Sequence, residues 1–491
     1  MEPESFLAFD LGAESGRTVL GRLSGGRIQI RELTRFANSP VRILGHQHWN
    51  IYGLFEEIMK GMKAASAEAA KPPESLAVDT WGVDFGLLTG GGTILGLPYS
   101  YRDDRTKDVM AEFFKRLPAE EIYARTGVQF MPFNSLFQLF ATARDNPVLL
   151  DQAESILFMP DLFTYLLTGE RVSEFSIAST SQILDPRISA WDKTILSAIG
   201  LSPAVMPDVL APGTLIGNLL PSVSEETGLP GTQVVAAAGH DTAAAVAAVP
   251  ASGKDWAYIS SGTWSLLGVE LPSPLISPQT LAANFTNEGG VAGTIRFLKN
   301  IAGLWLLQQC RREWSRSVDL SYDELTRMAG EAPPFEAFIE PDCPDFLNPP
   351  SMPEAIRSYC LRTGQVSPQS PAGTVRCILE SLALKYRSTL DQLRLLTAKP
   401  IGRIHVIGGG SRNERLCQFT ADATGLTVLA GPAEATATGN ILVQAMALGY
   451  VGSLDEIREI VRRSAEIQTY QPSGRAEWDR AYDQFREVTR L

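Results

Sequence analysis

Several residue types and patterns that mark particular classes of protein are scarce or missing in this sequence of 491 residues. It has only four histidines and five cysteines, and no two cysteines are spaced C-x-x-C. This pattern argues against a zinc site, and reduced thiols are the default for such a chain. We therefore expect a cytoplasmic protein without zinc, in which Cys360 and Cys377 are the first candidates for two cysteines that lie close together.

Long apolar runs, a leader segment and an excess of positive charge are missing as well. No apolar run reaches the roughly 18 residues that a membrane-spanning helix needs. The opening Met-Glu-Pro-Glu-Ser lacks the basic start and apolar segment of a secretory signal. The net charge of −12 argues against broad nucleic-acid binding, so we expect neither a nucleic-acid nor a membrane partner. An anionic ligand remains compatible with this charge because backbone N–H groups can bind phosphate.

The chain is long enough to form more than one hydrophobic core, and the same sequence pattern occurs near the start of each half. Residues 9–16, Phe-Asp-Leu-Gly-Ala-Glu-Ser-Gly, and residues 259–265, Ile-Ser-Ser-Gly-Thr-Trp-Ser, each indicate a strand, a glycine-bearing turn and a second strand. Val249-Pro250-Ala251-Ser252-Gly253 has the composition of a hinge between them. We therefore predict two α/β domains, residues 1–247 and 248–491.

The segment Gly239-His240-Asp241-Thr242 lies between an apolar run that predicts a buried strand and a run of small residues that predicts a helix. Asp241 then stands at a helix N-terminus, where free N–H groups and the helix dipole favour an ionised carboxylate. An ionised carboxylate in a cleft can accept a proton from a hydroxyl group. The ordinary role of Asp at such a position is to cap the helix, and these four residues alone leave that alternative open.

The turn from Asp10 to Arg17 has the small residues that let backbone N–H groups approach the oxygens of a phosphate. Ser15 adds a hydroxyl group and Arg17 adds a cation. Asp10 ends the preceding strand and is placed to hold Mg²⁺, usually through water. The alternative is a plain β-hairpin turn without a ligand.

Two later glycine turns are further candidates for nucleotide contacts. Ser260 to Thr263 forms a similar turn in the second half, with a solvated hairpin turn as the alternative. Gly408-Gly409-Gly410 follows an apolar strand and precedes a helix that we expect Ser411 to cap. Neither the dinucleotide-binding pattern G-x-G-x-x-G nor the P-loop pattern G-x-x-x-x-G-K-[ST] occurs there, so those two nucleotide-binding classes are excluded.

Two stretches carry candidate contacts with a small substrate. Trp81-Gly82-Val83-Asp84-Phe85 offers an indole face for the apolar side of a sugar and a glycine for close backbone approach, although a buried tryptophan in a strand is the alternative. Residues 295–312 are predicted as one long helix that carries Asn300, Trp305 and Gln308.

Taken in order, the motifs resemble those of the FGGY carbohydrate kinases. Asp-x-Gly-x-x-Ser-Gly-Arg opens the chain, Gly-His-Asp-Thr closes its first half, Ser-Ser-Gly-Thr-Trp opens the second, and Gly-Gly-Gly-Ser comes late. Further segments narrow the resemblance within the family and extend it over nearly the whole chain: 79–85, 127–134, 260–265, 284–290 and 297–300. The resemblance implies a fold of two actin-like (ribonuclease-H-like) domains around a central cleft.

The resemblance also implies a role for individual residues. Asp241 would be the general base, and Asp10 would hold Mg²⁺. Trp81, Gly82, His240, Thr242 and Asn300, with Asp241, would line the sugar. The ATP contacts would be Ala13, Ser15, Gly16, Arg17, Gly262, Thr263, Gln308, Gly408, Gly409 and Gly410. Glu14 stands where many relatives carry Ser or Thr, so it is left out of the predicted site.

The activity that the resemblance implies is ATP- and Mg²⁺-dependent phosphorylation of L-rhamnulose at O1 by a monomer or dimer. The sugar would bind mainly to the N-terminal domain and MgATP mainly to the C-terminal one. Two alternatives stay open at this point. One is a kinase of the same family for L-fuculose or a pentulose, and the other is an actin-like ATPase that phosphorylates no sugar.

Overall fold

Short apolar strands alternate with amphipathic helices along the chain, and this alternation builds two sheets that are each packed with helices. The computed structural model describes residues 3–69, 71–316 and 320–490. The described residues divide into two compact units. The first unit comprises Met1–Pro250, Glu270–Phe297 and Ala435–Ser464, and the second comprises Ala251–Val269, Leu298–Glu434 and Ala465–Leu491.

The strands and helices are named here in chain order. The strands are β1 (Glu4–Leu11), β2 (Ser15–Ser24), β3 (Arg27–Ala37), β4 (Val41–Ile43), β5 (His46–His48), β6 (Ser75–Thr80), β7 (Phe85–Leu88), β8 (Ser155–Phe158), β9 (Ser173–Glu174), β10 (Leu184–Asp185), β11 (Ala190–Trp191), β12 (Val209–Leu210), β13 (Thr214–Asn218), β14 (Gln233–Ala236), β15 (Trp256–Ser261), β16 (Trp264–Leu271), β17 (Thr286–Gly289), β18 (Ile295–Ala302), β19 (Arg403–Ile407), β20 (Thr427–Ala430) and β21 (Gln468–Tyr470). The helices are α1 (Ile51–Glu68), α2 (Val109–Phe113), α3 (Ala119–Thr126), α4 (Ser135–Asp145), α5 (Pro147–Asp151), α6 (Met159–Thr168), α7 (Phe175–Ala178), α8 (Lys193–Ile199), α9 (Pro221–Thr227), α10 (Asp241–Ala247), α11 (Pro278–Ala282), α12 (Trp305–Trp314), α13 (Tyr322–Glu331), α14 (Met352–Arg362), α15 (Pro371–Thr397), α16 (Glu414–Thr424), α17 (Ala435–Ala447), α18 (Leu454–Ser464) and α19 (Arg475–Thr489).

The first unit is built on a six-stranded sheet of order β13-β14-β6-β1-β2-β3. The meander β1-β2-β3 is antiparallel, whereas β1, β6 and β14 run parallel to one another. β1 and β6 are buried along nearly their whole length, as expected for strands that are covered on both faces. The carboxyl ends of the three parallel strands therefore lie side by side at one edge of the sheet.

The second unit repeats this arrangement. In its sheet β16, β15, β19, β20 and β21 lie in that order, with β15 antiparallel to β16 and parallel to β19, and β19 parallel to β20. The order β16-β15-β19-β20 corresponds to β2-β1-β6-β14 of the first unit. The predicted structural repeat is confirmed, although the two hairpin segments, residues 9–16 and 259–265, share few identical residues.

The grouping of segments differs from a single division after residue 247. Helix α17 lies late in the chain, yet it packs against β1, β6 and α10 of the first unit. Where α17 crosses α10, a Cβ atom on Gly439 would stand 1.8 Å from the backbone carbonyl oxygen of Ala244, so only glycine permits this approach. Gln444 donates a hydrogen bond to the Leu7 carbonyl oxygen (3.0 Å). These contacts place α17 with the first unit, to which α18 also belongs, and the order of the chain does not reveal this.

The predicted single helix over residues 295–312 is wrong. Residues 295–302 form β18, and only 305–314 form a helix, α12. Asn300 therefore lies on a strand and Gln308 on a helix, rather than on one helix together. The apolar residues Ile295, Phe297 and Ile301 are buried as part of a strand, and apolar runs of this length do not distinguish a buried strand from a buried helix.

Within the ranges that the structure describes, none of the helices combines the length and the apolar character needed to traverse a lipid bilayer.

Candidate functional site

Three aspartates stand near the carboxyl ends of the three parallel strands of the first unit. Asp10 and Asp79 are directly paired positions of β1 and β6. Thr80, the last residue of β6, bridges to His240, and its N–H donates to the carbonyl oxygen of Gly239 (2.9 Å). The pairing of the strands thus brings Asp241 beside the other two carboxyl groups, at the kind of sheet edge where open α/β folds bind ligands.

Asp241 is the first residue of α10, and the position before it, His240, occupies the N-cap. The alternative that Asp241 only caps the helix is therefore wrong. Its side chain is 30% exposed and accepts a hydrogen bond from the Thr242 hydroxyl group (3.0 Å). Burial raises the pKa of Asp241, and the opposing influence of His240 is weaker. We expected the helix N-terminus to keep this acid ionised; the effect of burial on the pKa acts in the opposite direction and makes the carboxylate a stronger base.

Asp79 is completely buried and was missing from the predicted site. Burial and the neighbouring Asp10 raise its pKa well above the usual range, with a smaller contribution from Asp241. The Asn440 side chain, on α17, donates to Asp79 Oδ2 at 2.6 Å, while Asp79 Oδ1 is buried without a hydrogen-bond partner among the described residues. A protonated Asp79 is the form that this surrounding favours.

Asp10 is paired with Arg17 across the β1–β2 hairpin. Arg17 donates from Nε (2.9 Å) and Nη2 (2.6 Å) to Asp10 Oδ2, and the two residues are directly opposite in the register. Both side chains are mostly buried. Two of the nitrogen atoms of the Arg17 guanidinium group therefore donate hydrogen bonds within the protein. Contact of Arg17 with a phosphate remains a prediction.

The turn between β1 and β2 is a hairpin whose backbone is tied to a neighbouring strand end. Asn38 donates to the carbonyl oxygens of Gly12 (2.8 Å, side chain) and Glu14 (2.9 Å, backbone). A Cβ atom on Gly16 would stand 2.3 Å from the Phe36 ring, so any larger residue there would require that ring to move. The Glu14 side chain is exposed, while Ala13 and Ser15 are partly buried.

A buried hydrogen-bond network surrounds Trp81. Asp84 Oδ2 accepts from the indole N–H groups of Trp49 (2.6 Å) and Trp81 (2.9 Å) and from the backbone N–H of Tyr101 (3.1 Å), and Oδ1 accepts from the Gln138 amide (2.8 Å). Trp81 is only 5% exposed and packs against Trp49, with ring centroids 4.1 Å apart. Trp81 is thus buried, as in the alternative interpretation, but it lies in the connection between β6 and β7 rather than in a strand. Contact of its indole face with a sugar remains a prediction.

Gly82 and His240 lie next to Asp241, with His240 Nε2 3.5 Å from Asp241 Oδ1. A Cβ atom on Gly82 would lie 3.5 Å from His240 Nε2 and from the Thr180 side chain, so the glycine leaves room for one further atom layer. Two hydrogen bonds hold the backbone at Gly239 and His240 in place. Glu174 Oε2 accepts from the Gly239 N–H (2.8 Å), and the Ser176 hydroxyl accepts from the His240 N–H (3.1 Å). Burial raises the pKa of Glu174.

The second unit contains a cavity of about 1170 Å³ that brings together four of the predicted nucleotide contacts. These four residues are Gly262, Gln308, Gly409 and Gly410. Four arginines also line the cavity: Arg311, Arg327, Arg412 and Arg415. The volume slightly exceeds the roughly 300–1,000 Å³ of ordinary small-molecule sites. The arginines outnumber the acidic residues of the lining, Asp323 and Glu414, and suit an anionic ligand.

Only one residue of the glycine run faces open space. Cβ atoms on Gly408 and Gly410 would lie 3.0 Å and 2.0 Å from atoms of Ser261, and Gly408 also has a φ of +80°. A Cβ atom on Gly409 would meet nothing within 4 Å. The first and third glycines therefore allow β15 to approach, and the second is the one available to a ligand. Asn413, rather than the predicted Ser411, caps α16 by accepting from the Leu416 N–H (3.0 Å).

Gln308 and the turn at Gly262 and Thr263 are linked through the start of α12. The N–H groups of Leu304 and Trp305 donate to the carbonyl oxygens of Gly262 (3.0 Å) and Thr263 (3.1 Å). Gln308 Oε1 is buried in the cavity wall and has no partner among the described residues, which fits an acceptor for a ligand's amine or hydroxyl group. Asn300 is half-buried on β18, outside the lining of this cavity.

The described residues contain no group of three or more His, Cys, Asp or Glu side chains arranged to hold a metal ion. All five cysteines carry free thiols. Cys360 and Cys377 lie within hydrogen-bonding contact, as predicted, and this contact lowers the pKa of Cys360 and raises that of Cys377.

The sequence analysis missed four residues that shape the site: Asp79, Asp84, Glu174 and Asn440. Asp79 and Asp84 lie within the motif 79–85, and an acid in an otherwise apolar strand was a usable signal. Asn440 and Gln444 were also detectable, as two amide residues four positions apart in an otherwise apolar helix. Nothing in the sequence linked Glu174 to the backbone of Gly239.

We predict that Asp84 gives the protein a pH-dependent stability with an unusual sign. Burial raises the pKa of Asp84 to about 6, so the folded protein keeps a proton that the unfolded chain has already lost between about pH 4 and 6. The contribution of Asp84 to the free energy of unfolding should therefore decrease by about 2–3 kcal/mol as the pH rises through this window.

Thermal unfolding of the wild type and of Asp84→Asn, followed by tryptophan fluorescence across this range, measures the effect. The stability of the wild type relative to the variant should decline up to about pH 6 and then level off. The exposed control Asp151→Asn should show no such trend relative to the wild type. A difference between wild type and Asp84→Asn that is constant with pH would contradict the assignment.

Comparison with known sequences agrees with this geometry. Residues 5–248 match the N-terminal domain, and residues 257–448 the C-terminal domain, of the FGGY family of carbohydrate kinases. A rhamnulokinase of Bacteroides thetaiotaomicron is 47% identical over 487 residues, covering 99% of this chain and 100% of that protein. A rhamnulokinase of Pectobacterium atrosepticum is 42% identical over 492 residues, covering 100% of this chain and 97% of its own.

Solved structures share the fold at low sequence identity. The crystal structure of gluconate kinase from Lactobacillus acidophilus has a TM-score of 0.82 and 15% identity, covering 99% of this chain and 97% of that one. The two-domain α/β fold predicted from the sequence is thereby confirmed as the actin-like fold of these kinases. The chain belongs to the FGGY family of carbohydrate kinases.

Proposed function

We propose that this protein is a rhamnulokinase, which transfers the γ-phosphoryl group of ATP to O1 of L-rhamnulose and releases L-rhamnulose 1-phosphate and ADP. The observation that carries the choice of sugar is the identity of 47% and 42% to rhamnulokinases over almost the whole chain. Solved relatives with other substrates, such as xylulose kinase of L. acidophilus, are only 15% identical and support the fold alone.

Asp241 is the proposed general base. It lies at the edge of the sheet, is 30% exposed, and has a pKa raised by burial, so its carboxylate is both reachable and more basic than a solvated one. As O1 attacks the γ-phosphorus atom, the O1 proton passes to Asp241 and the bond to the bridging oxygen of ADP breaks. His240, Gly82 and Thr242 line the same space and are the proposed sugar contacts, with Trp81 and Asn300 as further candidates.

The proposed nucleotide contacts fall in two groups. In the first unit they are the turn residues Ala13, Ser15, Gly16 and Arg17. In the second unit they are Gly262, Thr263, Gln308 and the glycine run 408–410, of which Gly409 has the open space. Phosphate binding through backbone N–H groups requires little net positive charge, in keeping with the acidic chain.

The donor set of the first unit suits Mg²⁺. Asp10 is a carboxylate next to the phosphate-binding turn, and although Oδ2 accepts from Arg17, a carboxylate has lone pairs for several partners. Mg²⁺ is held through one or two carboxylates, water and the substrate phosphates, which fits Asp10 as a contact through water. When bound, the ion would neutralise charge on the phosphates. We propose MgATP as the phosphoryl donor on this basis.

The proposed substrate is tested by a coupled assay with ATP and Mg²⁺ across L-rhamnulose, L-fuculose, L-ribulose and D-xylulose. We expect L-rhamnulose to have the highest kcat/KM. A higher kcat/KM for one of the other ketoses would replace the proposed substrate, and ATP hydrolysis that no ketose stimulates would contradict sugar phosphorylation altogether.

Replacing the proposed base tests the mechanism. Asp241→Asn should lower kcat by at least about a hundredfold, the scale of general acid–base catalysis, because the amide cannot accept the O1 proton. The affinity for MgATP, measured by calorimetry, and the Tm should change little, since the side chain is partly exposed and accepts its hydrogen bond from the neighbouring Thr242. Near-normal turnover in this variant would remove Asp241 from the mechanism.

The nucleotide site is tested at Gly409. Gly409→Ala adds a methyl group where the protein offers open space, at a backbone conformation that alanine can adopt, so the variant should fold with an unchanged Tm. We expect KM for ATP to rise several-fold while KM for the ketose stays the same. Gly91→Ala, at an exposed glycine with a similarly open surrounding, is the matched control. An unchanged KM for ATP would show that Gly409 does not contact the nucleotide.

A further inference from the structure

A completely buried arginine lies behind the histidine of the site. Arg296 of β18 is 0% exposed, and its Nη2 atom is 3.1 Å from His240 Nδ1 and 3.2 Å from Glu288 Oε2. Its Nε atom donates to the Gly289 carbonyl oxygen (2.8 Å), which holds the guanidinium plane in place. Glu288 supplies the negative charge that a buried guanidinium group requires. All of these residues belong to the first unit.

This contact determines which ring nitrogen of His240 carries the proton. An arginine guanidinium group only donates hydrogen bonds, so the Nδ1 atom that faces it at 3.1 Å must accept. The other neighbour of Nδ1, Glu288 Oε2, is 3.4 Å away, longer than an ordinary N–H···O hydrogen bond. A proton on Nδ1 would point at the donor Arg296. The remaining position for the proton of a neutral imidazole is Nε2.

The Nε2 atom of His240 faces Asp241 and Gly82. It lies 3.5 Å from Asp241 Oδ1 and 3.5 Å from the point where a Cβ atom on Gly82 would stand. A ligand that enters the space over Gly82 therefore meets an N–H donor from His240 and a carboxylate acceptor from Asp241. Since Nε2 already holds its proton, it has no lone pair with which to accept another, and a second proton could only go to Nδ1, which faces the donor Arg296.

We propose that Arg296 is a positioning residue that fixes His240 as the neutral Nε2–H tautomer, so that His240 donates a hydrogen bond to an oxygen of the bound ketose and leaves proton acceptance to Asp241. The inference rests on the proposed function for the identity of the ligand, but not for the tautomer. Glu288 takes part indirectly, because it compensates the charge of Arg296.

The tautomer is measured directly on the unmodified protein by NMR with ¹⁵N-labelled histidine. The chain has four histidines, and the signals of His240 are identified by their loss in His240→Asn. At about pH 8 we expect the ring of His240 to carry a single proton, on Nε2. A proton on Nδ1, or a doubly protonated ring, would overturn the proposal. No substrate is needed, so this result is independent of whether L-rhamnulose is phosphorylated.

A variant tests the consequence for binding. Arg296→Lys keeps the positive charge next to Glu288 but loses the flat donor group that reaches Nδ1. We expect a mixture of the two His240 tautomers and a rise of about tenfold in KM for the ketose, the scale of one hydrogen bond, with KM for ATP unchanged. Arg357→Lys, at an exposed arginine outside the nucleotide cavity, controls for the substitution itself.

An unchanged tautomer and an unchanged ketose KM in a folded Arg296→Lys variant would show that Arg296 has only a structural role. Equal rises of both KM values would point to general damage and would contradict positioning as well. If the variant does not fold, the NMR result on the unmodified protein decides the question alone.

Discussion

The parallel pairing of β1, β6 and β14 is the constraint on which the site depends. It brings Asp10, Asp79 and Asp241 to one edge of the sheet, two of them with pKa values raised by burial. Like carboxyl groups at close range oppose each other's ionisation. The fold must therefore supply compensating groups, which it does with Arg17 at Asp10, Asn440 at Asp79 and Thr242 at Asp241.

Other buried charged groups around the site are compensated by hydrogen bonds or ion pairs in the same way. Asp84 and Glu174 are also buried carboxyl groups, and each accepts several hydrogen bonds from tryptophan, amide, hydroxyl or backbone donors. Arg296 and Glu288 form the corresponding buried pair behind His240. Such networks hold side chains in one arrangement because breaking any single bond leaves a buried polar group unsatisfied. Rigid support of this kind is what a site for positioning a sugar hydroxyl group needs.

Much of the fold was predictable because local patterns carried it. Strand, turn and helix around Asp241 follow from an apolar run, a glycine and a run of small residues, and the two glycine-bearing hairpins revealed the repeated architecture. The cavity of the second unit unites four residues that the sequence proposed separately. The roles of individual residues rested on resemblance to a family, and the structure shows where these residues lie rather than what they bind.

What the sequence could not supply depends on contacts between distant segments. Asn440 contacts Asp79, 361 positions away in the sequence, and Arg296 contacts His240, 56 positions away. Patterns of neighbouring residues in the sequence do not predict either contact. Residues 295–302 were misassigned because a short apolar run fits a buried strand and a buried helix equally well. The rise in the pKa of Asp241 was not foreseen, since the helix dipole is visible in a sequence whereas the extent of burial is not.

The most direct test of the central claim is a crystal structure of the protein with L-rhamnulose and a non-hydrolysable ATP analogue. The account predicts that O1 of the sugar lies within hydrogen-bond reach of an Asp241 carboxylate oxygen, about 2.6–3.2 Å away, and that another sugar oxygen accepts from His240 Nε2. A sugar bound elsewhere, or with O1 directed away from Asp241, would contradict it.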